Sequence, residues 1–420
     1  MLKRINPSQA ELGMFIHKLE GAWLKHPFWK TKFVIEDPDT LADLRDAEID
    51  AVVIDIAKGR DVSPPPLAAA RPAPAATGAQ PRRRFVAPTV PTAFDPRSTA
   101  PLSTAREFGH AAKAAERGRK VVNKVFLEAR LGKSIKAETV EPVIEDIFAS
   151  IQRNPHAFNG LMRCKRDNEF IYRHALACSA LMISLARQLK MSPSEIREAG
   201  LAGLLFDVGV NHLPVDMAQS GGDYRRLPLE IRMEHTRLGH DFLVASGLPE
   251  PIALVALQHH ERNDGSGYPH GLIGGDIPLL SRMAAVCDAY DQLADAGGDA
   301  QPVDPGAVVQ QMAQTPEKYD PVVFAAFVRC IGTFPIGTFV ELRSGRLAMV
   351  IDQHPSDFAR PRVRTFFSLH TGERVRQEEI DLANCFGADE IAGLADLSRF
   401  EPEEVLELRQ RMLLTVARAK

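Results

Sequence analysis

His259-His260-Glu261-Arg262-Asn263-Asp264-Gly265-Ser266-Gly267-Tyr268-Pro269, followed by Gly271-Leu272 and then by Asp288 and Asp291, is the stretch on which the reading of this chain turns. Neutral imidazoles favour borderline divalent metals and carboxylates bridge two of them, so a His-His pair with downstream aspartates is material for a hydrolytic metal centre. The run from Gly265 to Pro269 reads as a tight loop. Glycine permits positive φ and close approach of backbone to a ligand, Pro269 fixes the exit, and Tyr268 supplies a ring and a hydroxyl. Taken alone, a His-His pair is as well explained by an accident at a surface or helix end. Upstream, however, lie His235 in His-Thr-Arg-Leu-Gly, Asp207 in Phe-Asp-Val-Gly-Val, and His174 on an expected helix whose Ala177, Leu181 and Leu185 face the core.

Ordered as His, Asp, His, His-His, Gly-Tyr-Pro and Asp, these residues resemble the HD-GYP family of bacterial signalling proteins, over about residues 136–330. The resemblance implies an all-helical domain that holds two or three divalent metals, iron or manganese, and hydrolyses cyclic di-GMP. It implies a first metal held by His174, Asp207, Asp288 and a histidine that this chain lacks, and a second held by Asp207, His235, His259 and His260. Asp207, common to both sets, takes the catalytic assignment. Gly267, Tyr268 and Pro269 are expected to shape the substrate pocket, with Arg262 and Arg282 as its cations.

Four departures from the family pattern bear on chemistry. Phe206 stands where the family has the histidine before Asp207, and Val210 where it has a lysine. Phenylalanine cannot coordinate, and a ring lying between His174, Asp207 and Asp288 would exclude a first metal, leaving one site occupied. A lost lysine removes a charge that, placed at a reacting phosphate, is worth on the order of several kcal/mol; His212, two residues on, is the candidate substitute. Phe170 replaces a glutamate of the trinuclear members. Finally, the Arg-Pro-Tyr-Arg-like segment of the family is here Gln292-Leu293-Ala294-Asp295-Ala296-Gly297-Gly298-Asp299, acidic rather than basic, and Arg225 and Arg226 remain as further basic candidates.

The 420 residues, 45% of them hydrophobic, suffice for two or three globular units, and a formal net charge of −3 argues against nucleic-acid polymers and membrane surfaces as partners. The five scattered cysteines, Cys164, Cys178, Cys287, Cys330 and Cys385, read as reduced thiols, and no apolar run is long enough to span a bilayer, so the expectation is a cytoplasmic protein without membrane insertion. The expected class is multidomain α+β. Residues 1–62 form a small α/β domain, with strands at Leu12–Ile16, Lys32–Ile35 and Ala51–Ile54, a helix from Asp39, and Trp23 and Trp29 between strands. This segment, with Leu-Gly-Met and Pro27-Phe28, resembles a small domain that commonly precedes HD-GYP.

Residues 63–103 are a Pro/Ala/Arg tether, 104–135 a basic connecting helix, 136–331 the helical HD-type domain, and 332–420 a small β-barrel-like extension that ends in a helix from Glu403 to about Ala417. A helix entering a signalling domain often dimerises, so a homodimer is a further expectation. Two functions follow. One is a metal-dependent cyclic di-GMP phosphodiesterase with impaired hydrolysis. The other is a noncatalytic cyclic di-GMP receptor, or an interaction module that meets diguanylate cyclase-type proteins through the Gly-Tyr-Pro loop. A hydrolase of some other nucleotide is disfavoured, because other HD-superfamily hydrolases lack that loop.

Overall fold

The structure, a computed structural model, describes residues 2–20, 33–35, 41, 51–60, 100–163, 170–215, 223–295, 303–354, 357–385 and 387–416. These fall into two compact units, Met1–Ser98 and Thr99–Lys420. In the first, strands β1 (Leu2–Ile5), β2 (Phe15–Glu20), β3 (Phe33–Val34) and β4 (Ala51–Asp55) form an antiparallel sheet in the order β1-β4-β2-β3. Ile5, Met14, Ile16, Ile35, Val52 and Ile54 make its core. The strand expected at residues 12–16 starts at Phe15 because Gly13, at φ 87°, turns the chain and donates its N–H to the Ile35 carbonyl at 2.8 Å. Trp23, Trp29, Pro27-Phe28, the start of the helix at Asp39, and all of the tether except residues 100–103 lie outside the described residues.

The second unit begins with α1 (Thr104–Arg130), whose Phe108, Ala111, Ala115, Val122, Val125 and Phe126 recur at helical spacing and are buried, while Arg106, Lys113, Arg117, Lys120 and Lys124 face outward. There follow α2 (Ala137–Arg153), α3 (Ala157–Met162), α4 (Phe170–Gln188), α5 (Pro193–Leu205), α6 (Leu229–Ala245), α7 (Glu250–Gln258), α8 (Leu279–Ala294), α9 (Pro305–Ala313) and α10 (Pro321–Ile331). Helix α4 is buried on every side along most of its length, so it is the axis of the bundle. Helix α5 starts at a full capping box, Ser192 with Glu195, and has proline at its first position. No helix among the described residues is long and apolar enough to cross a membrane.

Strands β5 (Phe339–Leu342), β6 (Arg346–Asp352), β7 (Arg362–Ser368), β8 (Glu373–Arg374), β9 (Glu379–Asp381) and β10 (Ile391–Leu394) form one antiparallel sheet, ordered β10-β5-β6-β7-β8 with β9 also on β7. The barrel-like extension expected from the sequence is therefore corrected to an open sheet. Its edge strands are too short to curl round and meet. Helix α11 (Pro402–Val416) covers the sheet instead, burying Leu408, Met412 and Leu413, with the buried Arg364 donating to the Met412 carbonyl at 2.7 Å. Arg409 ties this helix to the Gly337 carbonyl at 3.0 Å and to Asp304, the N-cap of α9, at 3.2 Å.

Candidate metal centre and adjoining groove

Small residues set the centre. A Cβ on Gly203 would stand 2.8 Å from the Cys178 carbonyl oxygen, so α5 lies against α4 at a distance that only glycine allows, and its end delivers Phe206 and Asp207 to His174. The chain then turns through a 3-10 segment, Val208–His212. There Gly209 meets α6 so closely that a Cβ would be 2.0 Å from the His235 carbonyl oxygen, which brings Asp207 beside His235. His259 caps the end of α7, His260 follows it, and α8 presents Asp288 and Asp291 one turn apart.

Asp207 and Asp288 hold the cluster together. Asp207 places Oδ2 3.2 Å from His174 Nε2, and Oδ1 3.4 Å from His235 Nε2 and 3.5 Å from His259 Nε2. Asp288 places Oδ1 3.2 Å from His174 Nε2 and Oδ2 3.3 Å from His260 Nδ1. His174, Asp207, His235, His259, His260 and Asp288 are all buried. Burial opposes the charge of Asp207, but the imidazoles of His174, His235 and His259 around it outweigh that and hold its pKa well below the usual carboxylate range. Burial, helped by the neighbouring His259 and His235, depresses His260 well below the ordinary imidazole value, so that ring is neutral, its ligating form.

The donor set fits a divalent ion. His235 donates Nδ1–H to the Arg232 carbonyl and His259 donates Nδ1–H to the Ala256 carbonyl at 3.0 Å, which leaves each Nε2 as a lone pair. Those two Nε2 atoms stand 3.2 Å apart. Two acceptors repel at that distance unless a cation or a proton lies between them. Donors about 2.1 Å from one ion are roughly 3.0–3.5 Å from each other, the range seen here. Asp207 Oδ1 and His260 Nε2 are buried and have no hydrogen-bond partner among the described residues. Behind the first group, His174 Nδ1 donates to Asp291 Oδ2 at 2.7 Å, and Asp291 is paired in turn with the partly buried Arg163. Asp291 is thus a carboxylate that orients the His174 ring.

The replaced residues form an apolar and aromatic lining. The Phe206 ring stacks on His259, centroids 4.5 Å apart, and meets His174 edge-on at 5.7 Å. It flanks the donors without separating them: His174, Asp207 and Asp288 still offer atoms within 4.8 Å of one another. Phe170 stacks on the other side of His174, at 4.9 Å, and forms one buried cluster with Val210, Leu213 and Tyr224. Phe170, which replaces a glutamate of the trinuclear members, and Val210, which replaces a lysine, therefore share one apolar cluster. His212 packs its ring against Phe242 on α6, 4.6 Å away.

Glu261, fully buried, accepts the N–H groups of His270 at 2.8 Å and Leu272 at 3.0 Å, which fastens the Gly-Tyr-Pro loop. Gly265 and Gly271 take the positive φ anticipated for the loop, 81° and 65°, and a Cβ on Gly267 would be 2.3 Å from the Arg262 nitrogen. Tyr268 lays its ring 4.7 Å from that of His260, and Pro269 is exposed. Arg282 is engaged elsewhere, paired with Asp320 at 2.5 Å. Beside the cluster runs a groove of about 730 Å³ that Asp288 lines together with Arg225, Arg226, Arg232, Arg262 and Lys318. Asp295, from the acidic run after Asp291, neutralises Arg173 and Arg225. Arg232 and Lys318 were not singled out from the sequence. The one available signal was the helical spacing of Arg232 to His235, and Lys318 had none.

Comparisons with known proteins bear on the family. Residues 155–323 match the family model described as HD domain, and residues 2–140 match one described as a domain of unknown function, DUF3391. A cyclic di-GMP phosphodiesterase of Pseudomonas aeruginosa is 36% identical over 411 residues, covering 97% of this chain and 94% of that protein. A cyclic di-GMP phosphodiesterase response regulator of Xanthomonas campestris is 36% identical over 149 residues, 34% of this chain and 39% of that protein. Among solved structures, the crystal structure of a cyclic GMP-AMP specific phosphodiesterase from Vibrio cholerae aligns over 40% of this chain and 47% of that one, at 18% identity and TM-score 0.29.

Proposed function

This chain belongs to the HD-GYP family, and from that premise we propose that it is a cyclic di-GMP phosphodiesterase whose hydrolysis is impaired at one of two metal positions. The observation that carries the reading is the Asp207 carboxylate, buried between His174 on one oxygen and His235 with His259 on the other, the second oxygen lacking any hydrogen-bond partner among the described residues. His235, His259, His260 and Asp207 would hold one divalent ion, and His174, Asp207 and Asp288 a second one with a ligand fewer. A bound divalent ion supplies polarisation of the phosphate and a lowered water pKa. The protein's own groups do the rest. Asp291 keeps His174 in one tautomer, Glu261 keeps the loop against the histidine pair, and Tyr268 covers His260 from solvent.

The impairment follows from what surrounds the first position. Phe206 supplies no lone pair, and Val210 sits in apolar packing where a lysine would have faced a phosphate. Both changes lower transition-state stabilisation and leave ground-state binding largely alone. The test is turnover of cyclic di-GMP by protein loaded with iron or manganese, against a metal-free control. Turnover absent in the loaded protein, with cyclic di-GMP still bound in calorimetry, assigns the second reading, a receptor. That reading is favoured by one observation of its own, the unbroken run of ring contacts Phe170-His174-Phe206-His259, stacked, edge-on and stacked in turn, which places two apolar rings against proposed ligands of both positions.

A further inference from the structure

We propose that Gln292 and Tyr224 are positioning residues for the first metal position. Each donates a hydrogen bond to one of the two carboxylate oxygens that face His174, and together they keep competent an ion site that is one ligand short. The proposal rests on the two-position reading and deepens it.

The first position is a convergence of lone pairs. His174 gives its Nδ1–H to Asp291, so its Nε2 is a bare acceptor, and it faces Asp207 Oδ2 and Asp288 Oδ1, each 3.2 Å away. Three acceptors so close repel one another unless a cation lies among them, and the Phe206 ring, edge-on to His174, offers no fourth donor. Both carboxylates must then be aimed by groups behind them.

Asp288 is aimed by Gln292. The two lie one turn apart on α8, and the Gln292 amide donates from Nε2 to Asp288 Oδ1 at 2.7 Å. On an exposed helix such a pair supports the helix slightly and does nothing more. Here the acceptor is 1% exposed, and the oxygen engaged is the one turned to His174, while the other is turned to His260. Asp207 is aimed by Tyr224, which rises from the 3-10 turn Tyr224–Arg226 and buries its ring with Phe170, Val210 and Leu213. A buried phenol takes an acceptor, and these apolar side chains offer none. Its hydroxyl reaches Asp207 Oδ2 at 3.4 Å, the longer and weaker of the two contacts. The residues that stand where the family pattern has charges thus pack the ring whose hydroxyl serves the carboxylate. A partner that orients a ligating carboxylate is worth roughly 10–100-fold in metal affinity.

The experiment is a manganese titration of the full chain, with free ion counted by electron paramagnetic resonance and the coupled signal of a close manganese pair recorded in frozen samples. Wild type is compared with Gln292→Met and Tyr224→Phe, which delete the donor and keep nearly the same bulk, and circular dichroism checks the fold of each. The weaker of the two bound ions is expected to lose roughly ten-fold in affinity in Gln292→Met and about three-fold in Tyr224→Phe, while the tighter ion changes by less than about two-fold. The pair signal should move to higher manganese in step. Side chains that merely packed would leave both ions unmoved. The two residues lie on separate elements, so one variant decides should the other misfold. A weaker ion held as tightly as in wild type, or more tightly, overturns the proposal alone, as do equal losses at both ions. Wild-type protein that never shows the pair signal overturns the two-position reading and the proposal with it.

Discussion

Phe206 lies face to face with His259, ring centroids 4.5 Å apart and planes 24° apart. The contact joins the residue that stands where the family pattern has a ligand of one metal position to a proposed ligand of the other. Phe206→His should therefore raise metal content toward two equivalents per chain and speed cyclic di-GMP hydrolysis at least about ten-fold, at a stability cost of about 1–3 kcal/mol for the lost ring packing. Elemental analysis of the purified variant checks it, and an unchanged metal content would count against the two-position reading.

Val210 shares a buried cluster with Phe170, Leu213 and Tyr224, so restoring the family's lysine there alone is costly. Val210→Lys should lower unfolding free energy by about 2–4 kcal/mol, because the ammonium gains no carboxylate where Phe170 has replaced one. Urea denaturation measures this. The pair Val210→Lys with Phe170→Glu should recover much of the loss, and full additivity of the two costs would refute the coupling.

Gly209 sets the approach of Asp207 to His235. Gly209→Ala puts a Cβ 2.0 Å from a backbone oxygen of α6 and should destabilise by more than about 3 kcal/mol with loss of bound metal. Gly109→Ala, on α1 with nothing within 4 Å of its Cβ, is the control and should stabilise by about 0.5–1 kcal/mol. Thermal melts and metal content of both variants decide.

Glu198 on α5 is buried, and burial, aided by the charge of Glu195, raises its pKa from 4.5 to about 7. The folded state then holds this proton more tightly than the unfolded chain, so stability declines as pH climbs from about 4.5 to about 7 and the full cost persists above. Glu198→Gln should stabilise the protein at pH 8 by on the order of 2–3 kcal/mol and have little effect near pH 4.5. Denaturation at the two pH values gives the difference; equal effects at both would show that Glu198 ionises freely.

The candidate centre is largely legible in the chain because its candidate ligands sit in short local patterns. His259 and His260 adjoin the loop glycines, Asp207 ends a small-residue helix, and all six expected ligands converge. The role of Asp291 depends on where α4 aims Nδ1 of His174, which no spacing reveals. Two of the groove's cations, Arg232 and Lys318, are not legible for a similar reason: they lie far apart in sequence, and surface arginines and lysines look alike until a fold assembles them. Alternating residues at 339–351 announced strands, but whether a sheet closes depends on its edges, and β8 has two residues. Arg282 looked suited to substrate from its place in the motif, yet its nearest carboxylate, Asp320, came from another helix.

Glu261 follows His260 directly in the chain, and its two oxygens grip the backbone of His270 and Leu272 on the far side of the Gly-Tyr-Pro loop. The loop is consequently a handle fixed to the histidine pair. A displacement of the exposed turn at Pro269 and His270 is therefore carried, through one side chain, to the residue next to His260 rather than absorbed by the loop.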